Sequence, residues 1–313
     1  MGQGIAVAFS LAGVPVSLVD LKPRNHEDFA TLEQSARAAI GTDFGFLERI
    51  GAMDASAAQA SAKRIEIVPA SESVAAVQQA ELIFEAVPET REAKAEAFAW
   101  LSRHAPRECI LASTTSTFLV TDIADLTEGA ERVLNAHWLN PAHLMPLVEV
   151  SYGPSTDPAI TDRLCGILEA IGKVPTRMGA APGYVVPRIQ ALAMNEAARM
   201  VEEDIGTAEE IDKAIRLGIG LRFAVLGMLE FIDWGGGDIL YHASNYLAGA
   251  VSEDRYQLPD IVAQNMHENR NGLRDKQGFY DYAGVDVDSY RAERLGEFVD
   301  LLKRLDLMPK IAS

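Results

Sequence analysis

Only two cysteines occur in the 313 residues, Cys109 and Cys165. A disulfide-stapled scaffold is therefore excluded, and both read as small buried hydrophobes in a reducing, cytoplasmic setting. Cationic residues are also scarce: 28 Lys and Arg stand against 45 Asp and Glu, a formal net charge of −17. Such a chain repels polyanions, and no Lys/Arg stripe offers a local exception, which argues against nucleic acid as a partner. No apolar run reaches the roughly 18–20 residues of a membrane span. The opening MGQGIAVAFSLAGVPV lacks the positive n-region and small-residue cleavage site of a secretory leader. It reads as the first turn and body of a buried helix. The six histidines show no metal spacing; His137 and His143 have Pro141 between them and fit no helical ligand pair. No metal is expected.

What is present is enough apolar surface, 48% of residues, for two cores in a chain of two-domain length. The first half alternates helix-like and strand-like segments: helices at 5–12, 29–50, 55–62, 74–79 and 94–104, and strands at 16–20, 65–68, 82–87, 110–113, 133–137, 147–150 and 174–177. Such alternation predicts a doubly wound, Rossmann-type α/β domain with a parallel sheet over 1–178. After a small-residue hinge at 179–183 the pattern is helical to the end, at 186–203, 208–217, 239–250, 259–268 and 289–305. An all-α domain is expected over 179–313.

A dinucleotide-binding domain begins with a strand, a G-x-G-x-x-G turn and a helix N-terminus that meets the pyrophosphate. Here Gly2 stands where the third glycine belongs, and the first two glycines and the preceding strand are not in the sequence. Met-Gly-Gln-Gly alone carries little weight. Downstream, Asp20 closes the run VSLVD about where an acid hydrogen-bonds the adenosine ribose. It is otherwise an ordinary acid at a strand end. Lys22 and Arg24 follow, but an acid at Asp20 repels a 2′-phosphate, which favours NAD.

The densest chemistry lies between Ser113 and Val150. Polar residues, STTST, follow a strand at its carboxyl end, where open α/β sheets bind ligands. A second strand ends at His137 and runs into His-Trp-Leu-Asn-Pro; Glu149 sits in an apolar strand twelve residues beyond the histidine. Removing a hydride from an alcohol requires removing the hydroxyl proton, which neutral imidazole does near pH 7. A carboxylate on the far ring nitrogen fixes the tautomer, and an acid inside an apolar strand needs a partner. His137 and Glu149 fit these roles, with Ser116 on the substrate oxygen and Asn140 orienting the histidine or the substrate. The competing readings are a core histidine bonded to backbone, a helix-capping serine and a turn asparagine.

These residues make the chain resemble the L-3-hydroxyacyl-CoA dehydrogenase family over nearly its whole length. The resemblance is carried by Met-Gly-Gln-Gly-Ile-Ala at the start, Phe-Glu-Ala-Val-Pro-Glu at 84–89 with Lys94, Ala-Ser-Thr-Thr-Ser at 112–116 and His-Trp-Leu-Asn-Pro at 137–141. Pro-Leu-Val-Glu-Val at 146–150, Pro-Gly-Tyr at 182–184 and Gly-Phe-Tyr-Asp-Tyr at 278–282 complete it. It implies an NAD-linked Rossmann domain, then a helical domain that forms a homodimer. It implies His137 as base, Glu149 as its partner, Ser116 and Asn140 as substrate contacts, and Asp20 on the ribose. Gly2 belongs to the phosphate turn, and Glu89 and Lys94 lie by the nicotinamide half of the cofactor.

Three departures from the family pattern bear on the substrate. Pro187 stands where the family has a substrate-contacting asparagine. Thr114 replaces an asparagine near the nicotinamide. The segment 25–43, basic where CoA phosphates are held, carries Arg37 against Glu27, Asp28, Glu33 and Asp43. The resemblance also extends to relatives that oxidise small free hydroxy acids such as L-gulonate or carnitine. For such a substrate Arg188 and Arg222 are candidate carboxylate partners, each otherwise a solvated or ion-paired surface arginine. A non-catalytic, crystallin-like dimer is a further alternative, against which the intact His137, Glu149, Ser116 and Asn140 argue. The reading adopted is an NAD-dependent oxidoreductase interconverting a 3-hydroxyacyl substrate and its 3-keto product. Met1 coincides with the methionine many relatives carry before the third glycine, so a late start or natural truncation is expected. The strand lacking from the sequence belongs between those ending at Asp20 and near Glu85.

Overall fold

The computed structural model describes residues 1–309, which divide into two compact units, Met1–Ala193 and Met194–Ser313. The first unit runs α1 (Gly2–Leu11), β1 (Val16–Val19), α2 (His26–Arg49), α3 (Ala55–Ala62), β2 (Ile65–Val68), α4 (Ser73–Gln78), β3 (Leu82–Glu85), α5 (Arg91–His104), β4 (Ile110–Ser113) and α6 (Val120–Ala124). It continues with β5 (Val133–Trp138), β6 (Leu147–Tyr152), α7 (Pro158–Ala170), β7 (Val174–Gly179) and the first part of α8 (Val186–Glu202). Two helices start a few residues earlier than their apolar periodicity suggests. The Asn25 side chain accepts from the Asp28 N–H and the Thr90 hydroxyl from the Ala93 N–H, so each satisfies an orphan donor of the first turn.

The strands form two sheets, β1-β2 and β3-β4-β5-β6-β7. The expected parallel order holds for β1 with β2, for β3 through β5, and for β6 with β7. It fails at one junction: β5 and β6 are antiparallel. The cause is the short connection 139–146, since a parallel crossover needs a dozen or more residues. Strands β4 and β5 are buried along their whole length. The core around them includes Phe9, Phe84 and Trp138, whose ring centroids lie 5.6–6.3 Å apart.

Strands β1 and β3 do not pair with each other, and among the described residues no strand lies between them. Gly2, at the start of α1, stands near the carboxyl ends of both. A Cβ there would lie 3.4 Å from Ala86 Cβ and 3.6 Å from Leu18 Cδ1. β1 and β3 thus each leave one edge without a ladder partner, and their residues are mostly half-buried where those of β4 are buried.

The first unit extends beyond the boundary expected at 178 because the segment after β7 is tied to the sheet. Tyr184 Oη donates to the Thr115 carbonyl, and the Val185 and Val186 N–H groups donate to Glu149. The second unit holds the rest of α8, then α9 (Ala208–Ala214), a wide π-type turn over Ile215–Gly220, α10 (Leu221–Phe223), α11 (Met228–Gly235), α12 (Gly237–Ala250), α13 (Glu253–Tyr256), α14 (Asp260–His267) and α15 (Val287–Arg304). There the Gly-Phe-Tyr-Asp-Tyr run packs on buried Asp233, whose carboxylate accepts the Phe279 and Tyr280 N–H groups at 2.9 Å. A Cβ at Gly278 would fall 2.1 Å from Asp233 Oδ1, so this close approach requires glycine.

Candidate active site

The antiparallel junction puts His137 directly opposite Glu149. His137 Nδ1 lies 2.8 Å from Glu149 Oε2, and both residues are buried. The other oxygen, Oε1, accepts the Val185 and Val186 N–H groups at 2.9 and 2.8 Å. These amides open α8, so the carboxylate also sits at the positive end of a helix dipole. A fully buried carboxylate without such donors would cost several kcal/mol; here both oxygens are bonded. With Oε1 committed to two amide donors, Nδ1 carries the proton it shares with Oε2, and Nε2 keeps a lone pair. Tyr184 stacks on the imidazole, ring centroids 4.7 Å apart and planes 16° apart.

Ser116 follows β4 on an exposed loop organised by Glu89. Glu89 Oε1 accepts from the Thr115 hydroxyl, the Ser116 N–H (3.0 Å), the Thr117 N–H (3.1 Å) and the Thr117 hydroxyl (2.8 Å). Its Oε2 lies 3.0 Å from Lys94 Nζ. Burial disfavours the Glu89 charge, but the hydrogen bonds from Thr115, Lys94 and Thr117 outweigh it and hold its carboxyl down at about 2. Lys94 is itself buried and donates to Glu85 at 3.1–3.2 Å, while Ser113 Oγ donates to Glu85 at 2.6 Å. Glu89 and Lys94, expected beside the nicotinamide, are therefore also the struts of the Ser116 loop. Thr114, half-buried, donates its N–H to the Glu85 carbonyl. Asn140 is exposed on the turn after β5, with no side-chain hydrogen bond among the described residues. That turn is closed by buried Lys173, whose Nζ donates to the Ala142 and Met145 carbonyls at 2.7 and 2.8 Å.

The residues present fit part of a dinucleotide site. Gly2 leaves no Cβ at the start of α1, where the helix N-terminus lies by the carboxyl ends of β1 and β3. Asp20 directly follows β1, at the strand's carboxyl end, and is engaged by Arg24 Nε at 2.5 Å and by the Lys22 N–H at 3.3 Å. Arg24 is thus paired with Asp20 rather than free for a 2′-phosphate. Arg188, in the first unit, is exposed and has no ion pair or side-chain hydrogen bond among the described residues. Arg222 belongs to the second unit, with its guanidinium 5.4 Å from the centroid of the Phe231 ring.

Five contributors carry no assigned role in the sequence reading: Glu85, Ser113, Thr115 and Tyr184, which lie inside the motifs quoted above, and Lys173, which does not. An acid inside the apolar run LIFEAV and a threonine inside STTST were visible signals for two of them. Nothing local marks Lys173, whose partners lie some thirty residues earlier in the chain.

Comparison with known proteins gives the family. A family model described as 3-hydroxyacyl-CoA dehydrogenase, NAD binding domain, matches residues 1–181, and its C-terminal-domain counterpart matches 183–282. The chain is 32% identical over 285 residues to a 3-hydroxyadipyl-CoA dehydrogenase of Escherichia coli K12, covering 90% of this chain and 57% of that protein. It is 36% identical over 207 residues to an L-carnitine dehydrogenase of Burkholderia mallei, covering 66% of this chain and 63% of that protein. The chain thus spans under two thirds of the length of both relatives. A solved 3-hydroxyacyl-CoA dehydrogenase from Archaeoglobus fulgidus superposes with a TM-score of 0.75 at 27% identity, over 98% of this chain and 96% of that one. With both family domains matched in order along one chain, this protein belongs to the 3-hydroxyacyl-CoA dehydrogenase family of NAD-dependent enzymes acting on CH–OH groups.

Proposed function

We propose that the protein interconverts a 3-hydroxyacyl substrate and its 3-keto product, with His137 as the base. The observation that carries this reading is the His137–Glu149 pair: Nδ1 is held at 2.8 Å by a buried carboxylate, which leaves Nε2 as the acceptor. NAD, when bound, supplies the hydride acceptor. His137 Nε2 takes the proton of the substrate hydroxyl, and Glu149 stabilises the imidazolium that results. In the reverse direction the same nitrogen returns the proton. Ser116 and Asn140 hold the reacting oxygen, Asp20 the ribose, and the Gly2 end of α1 the pyrophosphate.

A second reading, a small free hydroxy acid as substrate, is supported by α2. Arg37 is already paired with Glu33 at 2.7 Å, which leaves 25–43 no uncommitted arginine for CoA phosphates. The similarity to a carnitine dehydrogenase points the same way, and unpaired Arg188 is the candidate carboxylate partner. A turnover panel followed by NADH absorbance, comprising acetoacetyl-CoA, 3-hydroxybutyryl-CoA, 3-hydroxybutyrate, L-gulonate and carnitine, separates the two. Turnover of the thioesters alone removes the free-acid reading. No turnover of any member, with NADH bound, removes the dehydrogenase reading as framed.

The same proposal includes a cytoplasmic homodimer formed through the helical unit. No helix among the described residues is long and apolar enough to cross a membrane. Helix α8 buries none of its side chains within the chain and exposes Ile189, Leu192, Met194 and Val201.

A further inference from the structure

We propose that Tyr184 is a positioning residue that sets the plane of the His137 imidazole and ties the base to the loop carrying Ser116. This rests on the reading of His137 as base. The imidazole plane turns about Cβ–Cγ, and the bond from Nδ1 to Glu149 restrains that rotation at one edge of the ring only. The Tyr184 ring covers one face at 4.7 Å and 16° and blocks that rotation. Its hydroxyl donates to the Thr115 carbonyl at 2.8 Å, one residue before Ser116. The two residues after Tyr184 supply both amides that hold Glu149 Oε1. One tripeptide, Tyr184–Val186, therefore contacts the base, its carboxylate partner and the loop of the substrate-binding serine.

The backbone at Tyr184 supports a positional role. Its φ of +48° lies in the left-handed region, unusual for a bulky residue and held here by the surrounding bonds. The side chain is buried, and burial pushes the phenol well above its ordinary range, so the hydroxyl stays a donor throughout the working pH. Tyr184 thus takes no proton from the reaction. Phe and Leu meet the same backbone conformation as Tyr, so substitutions compare side-chain effects.

Two variants of the full chain, Tyr184→Phe and Tyr184→Leu, separate the two functions. Histidine labelled at Cε1 reports ring stacking by NMR without substrate, with the His137 resonance identified by its loss in His137→Gln. Tyr184→Phe keeps the stack and loses the tie to Thr115. We expect an unmoved His137 resonance and a kcat lower by about 5-fold, the scale of one hydrogen bond. In Tyr184→Leu the His137 resonance should move downfield, because the ring-current shielding of the stacked phenol is lost. An unmoved resonance in Tyr184→Leu, or wild-type kcat in Tyr184→Phe, overturns the proposal. If Tyr184→Leu does not fold, the Phe variant still decides on kcat. Full turnover by His137→Ala would instead refute the base assignment, leaving the NMR result to stand alone.

Discussion

His137 and Glu149 are partners in the register of β5 and β6, and their side chains meet at 2.8 Å across the antiparallel junction of the sheet. The pairing is set by backbone geometry before any side-chain rotamer is chosen. A one-residue slip would turn one of the two to the opposite face.

Replacement of the pair should separate proton transfer from cofactor binding. His137→Ala is expected to abolish turnover and leave NADH affinity, read by fluorescence titration, nearly intact. Retention of more than a tenth of the wild-type rate would remove the histidine from the mechanism. Glu149→Gln should cost about 10²–10⁴-fold in rate. With the Gln oxygen kept for the Val185 and Val186 amides, its NH₂ faces Nδ1 and selects the tautomer with the proton on Nε2. That ring cannot accept the substrate proton there.

The Glu89 hub makes a pH-dependent prediction. Its carboxyl is held at about 2 against an ordinary value of 4.5. A group depressed in the folded state stabilises above its unfolded value and loses that contribution as pH falls through the folded value. Glu89→Gln should therefore be less stable than wild type above pH 4.5, by a constant margin in urea titrations. The margin should shrink between pH 4.5 and about 2. A margin independent of pH across that range would show that the carboxylate charge does not hold the Ser116 loop.

The divided sheet makes a prediction about affinity. β1 and β3 lie in separate sheets, and each leaves one edge without a ladder partner among the described residues. Fusing an apolar strand of about five residues and a Gly-x-Gly turn ahead of Met1 should pair both free edges and raise NADH affinity at least tenfold. It should also raise the melting temperature. An unchanged Kd and Tm for the fusion would mean that the slot does not limit cofactor binding.

The helical unit predicts association. In this unit Tyr246, Ile239 and Met194 are each more than 60% exposed in the single chain, as is Leu192 just before it on α8, and large exposed apolar side chains of this kind mark association surfaces. Sedimentation should give a dimer at micromolar concentration, and Leu192→Glu should shift it toward monomer. A wild-type monomer at that concentration would count against the proposed interface. Within the stretch 223–234, Leu226 and Asp233 are buried, whereas Met228 and Leu229 are exposed.

Much of this was legible from local pattern. The α/β alternation, the helical second half and the strand positions follow from periodicity and from Gly, Asn and Thr at element ends, because those effects act over a few residues. His137 and Glu149 were legible because each is a polar group in an apolar strand. The reversal of β6 against β5 is not a local signal: it follows from the length of the 139–146 connection against what a parallel crossover needs.

What the chain determined by itself is the set of elements and the chemical groups at their ends: a histidine and an acid on consecutive strands, a polar loop after β4, and an acid just after β1. What only the tertiary structure decided is which distant groups satisfy one another. Glu149 takes the two donors to its other oxygen from residues 185 and 186, Lys173 closes the turn after Trp138, Glu89 gathers the Thr115–Thr117 loop, and Tyr184 covers His137. The reason is that a buried polar group must find a partner wherever the fold brings one within hydrogen-bond distance, and sequence separation carries no information about which partner that is.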